Sequence, residues 1–178
     1  MTKPLVLYHT IYGSARRYAE WIAAGLGVEF QPAKNVVIPL SPAPIYFVGS
    51  LYAGKIAGIG ALTEQNTVWN EREIHLCILG MQPEYNAEHL DEILAANFTA
   101  QQMPHITSVH FLPGAMDISK LKLKHRFMMK GMATALSCKE NLTEQEKMFI
   151  HLSKCAEDWV DREAVAPILA QAMVPEHI

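Results

Sequence analysis

Cysteine is scarce in this chain. Its three cysteines, Cys77, Cys138 and Cys155, are odd in number, widely spaced and without a CxxC pair. Such spacing excludes a disulfide framework and a zinc knuckle, and fits reduced thiols in a reducing compartment. The eight histidines form no HxH or HExxH group, so no metal is expected. No apolar run reaches the roughly 18 residues of a membrane span, and no signal peptide precedes the first strand. A cytoplasmic location is therefore expected, with the sequons at Asn97 and Asn141 carrying no glycan. Nor is there an excess of positive charge: a formal net charge of −3 gives no global basic field for nucleic acid. Internal repeats and low-complexity linkers are missing as well.

What is present reads as one globular domain over residues 1–178. Half of the chain is hydrophobic and 19% is charged, which is enough apolar material for a proper core. Strand and helix patterns alternate. The apolar run Pro4-Leu5-Val6-Leu7-Tyr8-His9 is a strand, and Tyr18, Trp21, Ile22 and Leu26 then fall at helical spacing, with a stop near Gly25 or Gly27. Residues 28–38 carry Pro32 and suit an edge strand. Residues 45–49, 74–80 and 109–113 are further buried-type strands. Helices are expected over residues 56–69, 88–98 and, as one long pattern, 143–173. This alternation implies an α/β fold with a parallel sheet covered by helices on both faces.

Ligands of such sheets bind beyond the carboxyl ends of the strands, at the topological switch point. The first strand runs into Thr10, Ile11, Tyr12, Gly13, Ser14 and Ala15, and then into a helix. A glycine before a helix N-terminus lets backbone amides approach an anion that the helix dipole favours, so this loop suits phosphate. Ser50, Leu51, Tyr52, Ala53 and Gly54 follow the third strand, and Gly80, Met81, Gln82, Pro83, Glu84 and Tyr85 follow the fourth. Small residues let amides reach a ring edge, and an aromatic there either lies flat on a planar ligand or packs the loop. His9 either touches ligand or packs under the phosphate loop.

These features resemble a flavodoxin, and most closely the flavodoxin-domain group that includes the flavodoxin-like bacterial protoporphyrinogen oxidases. The resemblance rests on the Thr-x-Tyr-Gly-Ser loop, the Gly-Ser-Leu-Tyr-Ala-Gly segment and the alternating five-strand chain. It also rests on Pro113-Gly114-Ala115-Met116-Asp117 and the basic, Met- and Phe-rich segment after it. It implies a three-layer flavodoxin-like fold, a five-stranded parallel sheet in the order 2-1-3-4-5, and an insertion over residues 118–142. It further implies non-covalent FMN: Thr10 to Ala15 at the phosphate, Ser50 to Gly54 beside the isoalloxazine, and Gly80 to Gln82 at its other edge. In such a site a backbone carbonyl within residues 52–54 accepts a hydrogen bond from the reduced ring, so a β-branched residue at Gly54 would shift the one-electron potentials. The chain departs from the family where Ala15 stands in place of a threonine. A lost hydroxyl removes a hydrogen bond worth about 1–3 kcal/mol to a charged acceptor, which predicts weaker affinity, with Arg16 or Arg17 as compensating charge.

The insertion carries Lys120, Lys122, Lys124, Arg126 and Lys130 without an acidic residue between them, and Leu121, Met128, Met132 and Ala135 share one helical face with Phe127 alongside. It is either a basic amphipathic helix for a redox partner or the inner membrane face, or a core-packed helix whose methionines fill gaps. Cys77, Trp69 and Trp159 read as core, and the acidic Glu157, Asp158, Asp161 and Glu163 as a solvated helix face. Three functions remain open: a flavodoxin carrying electrons between a reductase and an acceptor, an oxidase of a tetrapyrrole such as protoporphyrinogen that hands electrons to a quinone, or a protein of this fold that has lost its flavin, an option that Ala15 leaves open. No catalytic acid or base is evident.

Overall fold

The computed structural model describes residues 3–69, 71–121 and 123–173, with Tyr85 described by its backbone alone. The Tyr85 ring and Lys122 of the basic segment therefore lie outside the described residues. Two compact units are present: one runs to Gly114 and resumes at Val160, and the other is Ala115–Trp159.

The larger unit is built on a parallel sheet. Apolar runs form β1 (Leu5–His9), β3 (Ile45–Tyr52), β5 (Ile74–Gly80) and β6 (Ile106–Pro113), with the short β2 (Phe30–Pro32) at one edge. These strands run in the order β2-β1-β3-β5-β6, the flavodoxin arrangement; a short antiparallel β4 (Lys55–Ile56) pairs with the end of β3 and shifts the numbering. Pro32 is tolerated because it closes an edge strand, and Ala33 resumes the ladder by donating its N–H to Tyr8 O at 2.8 Å. Register is regular across the centre: His9 faces Gly49, Ser50 faces Leu79 and Gly80 faces Pro113. Three neighbouring strands, β1, β3 and β5, thus end at one edge of the sheet.

Alternation along each strand feeds two cores. On one face α1 (Ser14–Leu26) buries Ala15, Tyr18, Ala19, Ile22 and Ala23 against Val6, Val48, Cys77 and Leu79. Gly27 ends α1 in the left-handed region, and the Val28 N–H returns to Ala23 O at 3.0 Å, satisfying a carbonyl of the last turn. The short helix α7 (Ala166–Met173) covers the same face through Ile168. On the other face Leu7, Phe47, Leu76 and Ile78 pack against Leu62, Trp69, Ile93 and Phe98.

Several expected boundaries move. Residues 56–69 hold only a single turn, α2 (Gly60–Thr63), and a 3-10 turn, Asn66–Trp69. A helix cannot run through Gly58, which sits at φ +79 with His9 packed against it. Residues 88–98 end in α4 (Leu90–Asn97), preceded by α3 (Pro83–Glu88). The pattern over residues 143–173 is not one helix. It breaks after Ser153, passes through an extended pair at Glu157–Asp158, and restarts where Asp161 caps a 3-10 turn by accepting the Glu163 N–H at 2.9 Å. The acidic residues therefore do not share a helix face: Glu157 and Asp158 are strand residues, Asp161 is a cap, and Glu163 lies in the 3-10 turn that Asp161 caps.

The smaller unit holds β7 (Ala115–Met116), α5 (Leu123–Ser137), α6 (Glu144–Leu152) and β8 (Glu157–Asp158). β7 and β8 pair antiparallel, and α5 packs on α6. Thr143 starts α6 with a capping box, its Oγ accepting the Glu146 N–H while Glu146 accepts the Thr143 N–H. On α5, Met129 and Ala133 are buried, whereas Leu123, Phe127, Met128 and Met132 are exposed. Of the face expected from Leu121, Met128, Met132 and Ala135, the last three are exposed on α5, whereas Leu121 precedes the helix and is half-buried. No helix among the described residues is long and apolar enough to cross a membrane.

Candidate functional site

The sequence loop after β1 folds into a cradle. Gly13 occupies the N-cap of α1 at φ 94, ψ −16, a conformation that strains any residue with a Cβ, and a Cβ built there would meet nothing within 4 Å. Thr10 shapes the turn by accepting the Gly13 N–H on its Oγ1 at 2.8 Å. No side chain caps α1 and its first turn carries no acidic residue, so its positive end faces no competing carboxylate on its own helix. Ile11 is exposed, Tyr12 and Gly13 are half-buried, and Ser14 is buried.

Ala15 explains the departure from a loop-ending threonine. Its methyl is fully buried in the core under α1, so a hydroxyl at this position would enter apolar packing. Arg17 sets its guanidinium 5.6 Å from the Trp21 ring centroid. Arg16 is exposed.

The second loop is a tight hairpin. Ser50, Leu51 and Tyr52 still belong to β3, and the turn itself is Ala53–Gly54, with φ of 48 and 75. Positive φ at both central residues is what a type I′ turn requires. Tyr52 pairs with Lys55 and stays 47% exposed. Asn97, at the end of α4, clamps this hairpin. Its Nδ2 donates to Gly54 O at 2.8 Å and to Ile93 O at 2.7 Å, and its Oδ1 accepts the Ile56 N–H at 2.9 Å. Lys55 Nζ adds a bond to Ala96 O. In the sequence Asn97 stands out only as a sequon; a polar side chain on the last turn of an amphipathic helix is the one signal of this role.

Gly80 ends β5 at the same edge. A Cβ there would fall 2.3 Å from Asn86 Nδ2, so a larger residue would have to push that side-chain amide aside, and the Gly80 carbonyl accepts the Gly114 N–H at 2.8 Å. Met81 and Gln82 are half-buried, and Gln82 stands before α3, which opens on Pro83. The loops of residues 10–15, 50–54 and 80–82 therefore emerge from adjacent strands at the β1/β3 switch point and its neighbour, as the sequence predicts.

His9 packs under Gly58, at the wall of a cavity of about 370 Å³ also lined by Lys34, Asn35, Glu64 and Gln65. Its Nδ1 is buried with no hydrogen-bond partner among the described residues. Cys77 is fully buried, and burial pushes its thiol up to about 12, so it is an inert core residue. Trp69 is buried and donates to Leu62 O at 3.2 Å. Trp159 is only partly buried, with its indole N–H on Glu157. Under the α1 layer, His75 stacks on Tyr46 at 4.4 Å between centroids and bonds Ser108 Oγ at 2.8 Å. Burial, with His110 adding like charge, pushes His75 down to about 4 and keeps it neutral.

No curated protein matches the chain. A family model described as a flavodoxin domain matches residues 5–142, a stretch that runs from the start of β1 to just before α6. Flavodoxin domains are in general those of FMN-binding redox proteins, and the phosphate-type loop, strand order and switch-point loops of this chain agree with that match. The chain belongs to the flavodoxin-domain family.

Proposed function

We propose that this protein binds FMN non-covalently and carries electrons between a reductase and an acceptor protein. One observation carries the reading: the cradle at Gly13, with an α1 terminus that no side chain caps, lies at the β1/β3 switch point next to the hairpin that exposes Tyr52. Gly13, Ser14 and Ala15 would hold the phosphate through their backbone amides, with Thr10 fixing the turn. Tyr52 and the Ala53–Gly54 turn would border the ring, and Gly80, Met81 and Gln82 its other edge. FMN supplies one- and two-electron transfer when bound, and the protein contributes orientation and electrostatics. The Gly54 carbonyl is already engaged by Asn97 and Tyr52 lies in the hairpin ladder, so Ala53 at the tip holds the acceptor left for a ring N–H.

A second reading draws on α5, whose Leu123 and Phe127 are about 70% exposed beside Lys124 and Lys130. An apolar face flanked by cations suits an anionic membrane surface, where an oxidase of a tetrapyrrole could hand electrons to a quinone. Anaerobic mixing separates the two. Reduction of the loaded protein by a flavodoxin reductase with NADPH, and none by protoporphyrinogen, supports the carrier; porphyrinogen-dependent bleaching supports the oxidase.

A further inference from the structure

Three ligand types converge within the smaller unit, on residues that the proposed function does not use. His151 lies in the last turn of α6, Cys155 in the turn that follows, and Glu157 on β8. Their Nε2, Sγ and carboxylate oxygen all lie within 4.8 Å of one another. Cys155 Sγ is 3.4 Å from His151 Nε2 and 3.1 Å from the His151 carbonyl oxygen, and His151 Nε2 is 2.7 Å from Glu157 Oε1.

We propose that His151, Cys155 and Glu157 form a binding site for a zinc-class divalent cation. Tetrahedral zinc with bonds of about 2.0–2.3 Å separates its ligand atoms by roughly 3.3–3.6 Å. The distance from the sulfur to Nε2 already has that value, although the sulfur is also 3.6 Å from Nδ1 and must swing toward the Nε2 side of the ring to share a cation with it. The imidazole–carboxylate pair must open by about half an ångström, a small rotation for a half-exposed histidine. A thiolate with an imidazole selects zinc, cobalt or their neighbours over magnesium and calcium, which prefer oxygen alone. The carboxylate is also held from behind. Trp159 donates its indole N–H to Glu157 Oε2 at 3.1 Å, leaving Oε1 toward the other two ligands, as outer-shell partners of metal-bound carboxylates do. The frame is equally fixed: a capping box anchors α6, and Glu157 pairs with Met116 in the β7–β8 ladder. Three protein ligands leave a fourth position open to water. The spacing 151-155-157 matches no standard metal signature, which is why the sequence predicts none.

Metal ligation requires a thiolate and a neutral imidazole, so cation binding releases protons. The test is a titration of the full-length protein with Co²⁺, followed by displacement with Zn²⁺. The expected result is a near-ultraviolet thiolate-to-cobalt band that saturates at one equivalent and is abolished by Zn²⁺. Cys155→Ser should remove the band, His151→Gln should weaken binding at least tenfold, and Trp159→Phe about tenfold. Cys138→Ser should change nothing. Circular dichroism of each variant confirms folding. Absence of the band in folded wild type, or a band that survives Cys155→Ser, overturns the proposal.

Discussion

Replacing Asn97 with alanine should loosen the candidate site without replacing any residue that borders it. Three hydrogen bonds end on this amide, and they differ in value. The bond to Ile93 O returns along the helix to a carbonyl four residues back and contributes little. The Gly54 carbonyl sits at a half-exposed turn, where water replaces the lost donor at about 0.5–1.5 kcal/mol. The Ile56 N–H belongs to a residue only 3% exposed, and leaving it unpaired costs about 1–3 kcal/mol. Alanine's helix propensity returns a few tenths of a kcal/mol. The net loss is about 2–3 kcal/mol in urea unfolding. Because the lost bonds hold the hairpin, FMN affinity should fall as well, by about tenfold, since a bound conformation that is less populated lowers apparent affinity in proportion. Asn97→Asp keeps the acceptor for Ile56 and should lose about half as much. A stability loss below about 0.5 kcal/mol would refute the clamp, and full destabilisation with unchanged FMN affinity would refute its role in positioning the site.

Other outcomes follow from the same contacts. Gly58→Ala places a Cβ 2.3 Å from that of His9 at φ +79, whereas Gly54→Ala at φ +75 meets nothing within 4 Å; urea midpoints should show losses of about 2–4 and 1 kcal/mol respectively, and equal losses would contradict the packing of His9. Ala15→Thr adds a hydroxyl to a fully buried position, so the melting temperature should fall and FMN affinity should not rise; a tenfold tighter complex would show that the side chain reaches the ligand instead. His75 is neutral in the fold and held near 4, whereas the unfolded chain takes up its proton near 6.5. Its share of stability is therefore present above about pH 6.5 and lost as pH falls toward 4, by about 3 kcal/mol. His75→Gln should flatten urea stability in that window relative to wild type, and parallel curves would refute the assignment.

Much of this molecule is legible in its sequence, for a physical reason. Strands buried on both faces, such as Ile74–Gly80, read as unbroken apolar runs, and the helix after Gly13 keeps a clean apolar stripe. Composition also exposes Pro32 as an edge residue. Elements that depend on distant partners are not legible. Lys55–Ile56 is too short to show a period and becomes a strand only because β3 turns back on itself. The apolar residues between 56 and 69 have helical spacing, but Gly58 is bent by the approach of His9, a contact across many residues of sequence. Ser153, Asp161 and the β7–β8 pairing divide what reads as one C-terminal helix. The position of the loops at the sheet edge is legible because their strands fix it. The role of the Asn97 amide is not, because its targets are backbone groups, which no side-chain pattern announces.

The central claim is tested most directly by titrating the apo protein with FMN and following the quenching of flavin fluorescence. Saturable binding at one equivalent, weakened at least tenfold by Gly13→Ala and by Tyr52→Ala in folded variants, is the predicted result. Absence of binding, or binding indifferent to both substitutions, would contradict the assignment of the cradle and the hairpin to FMN.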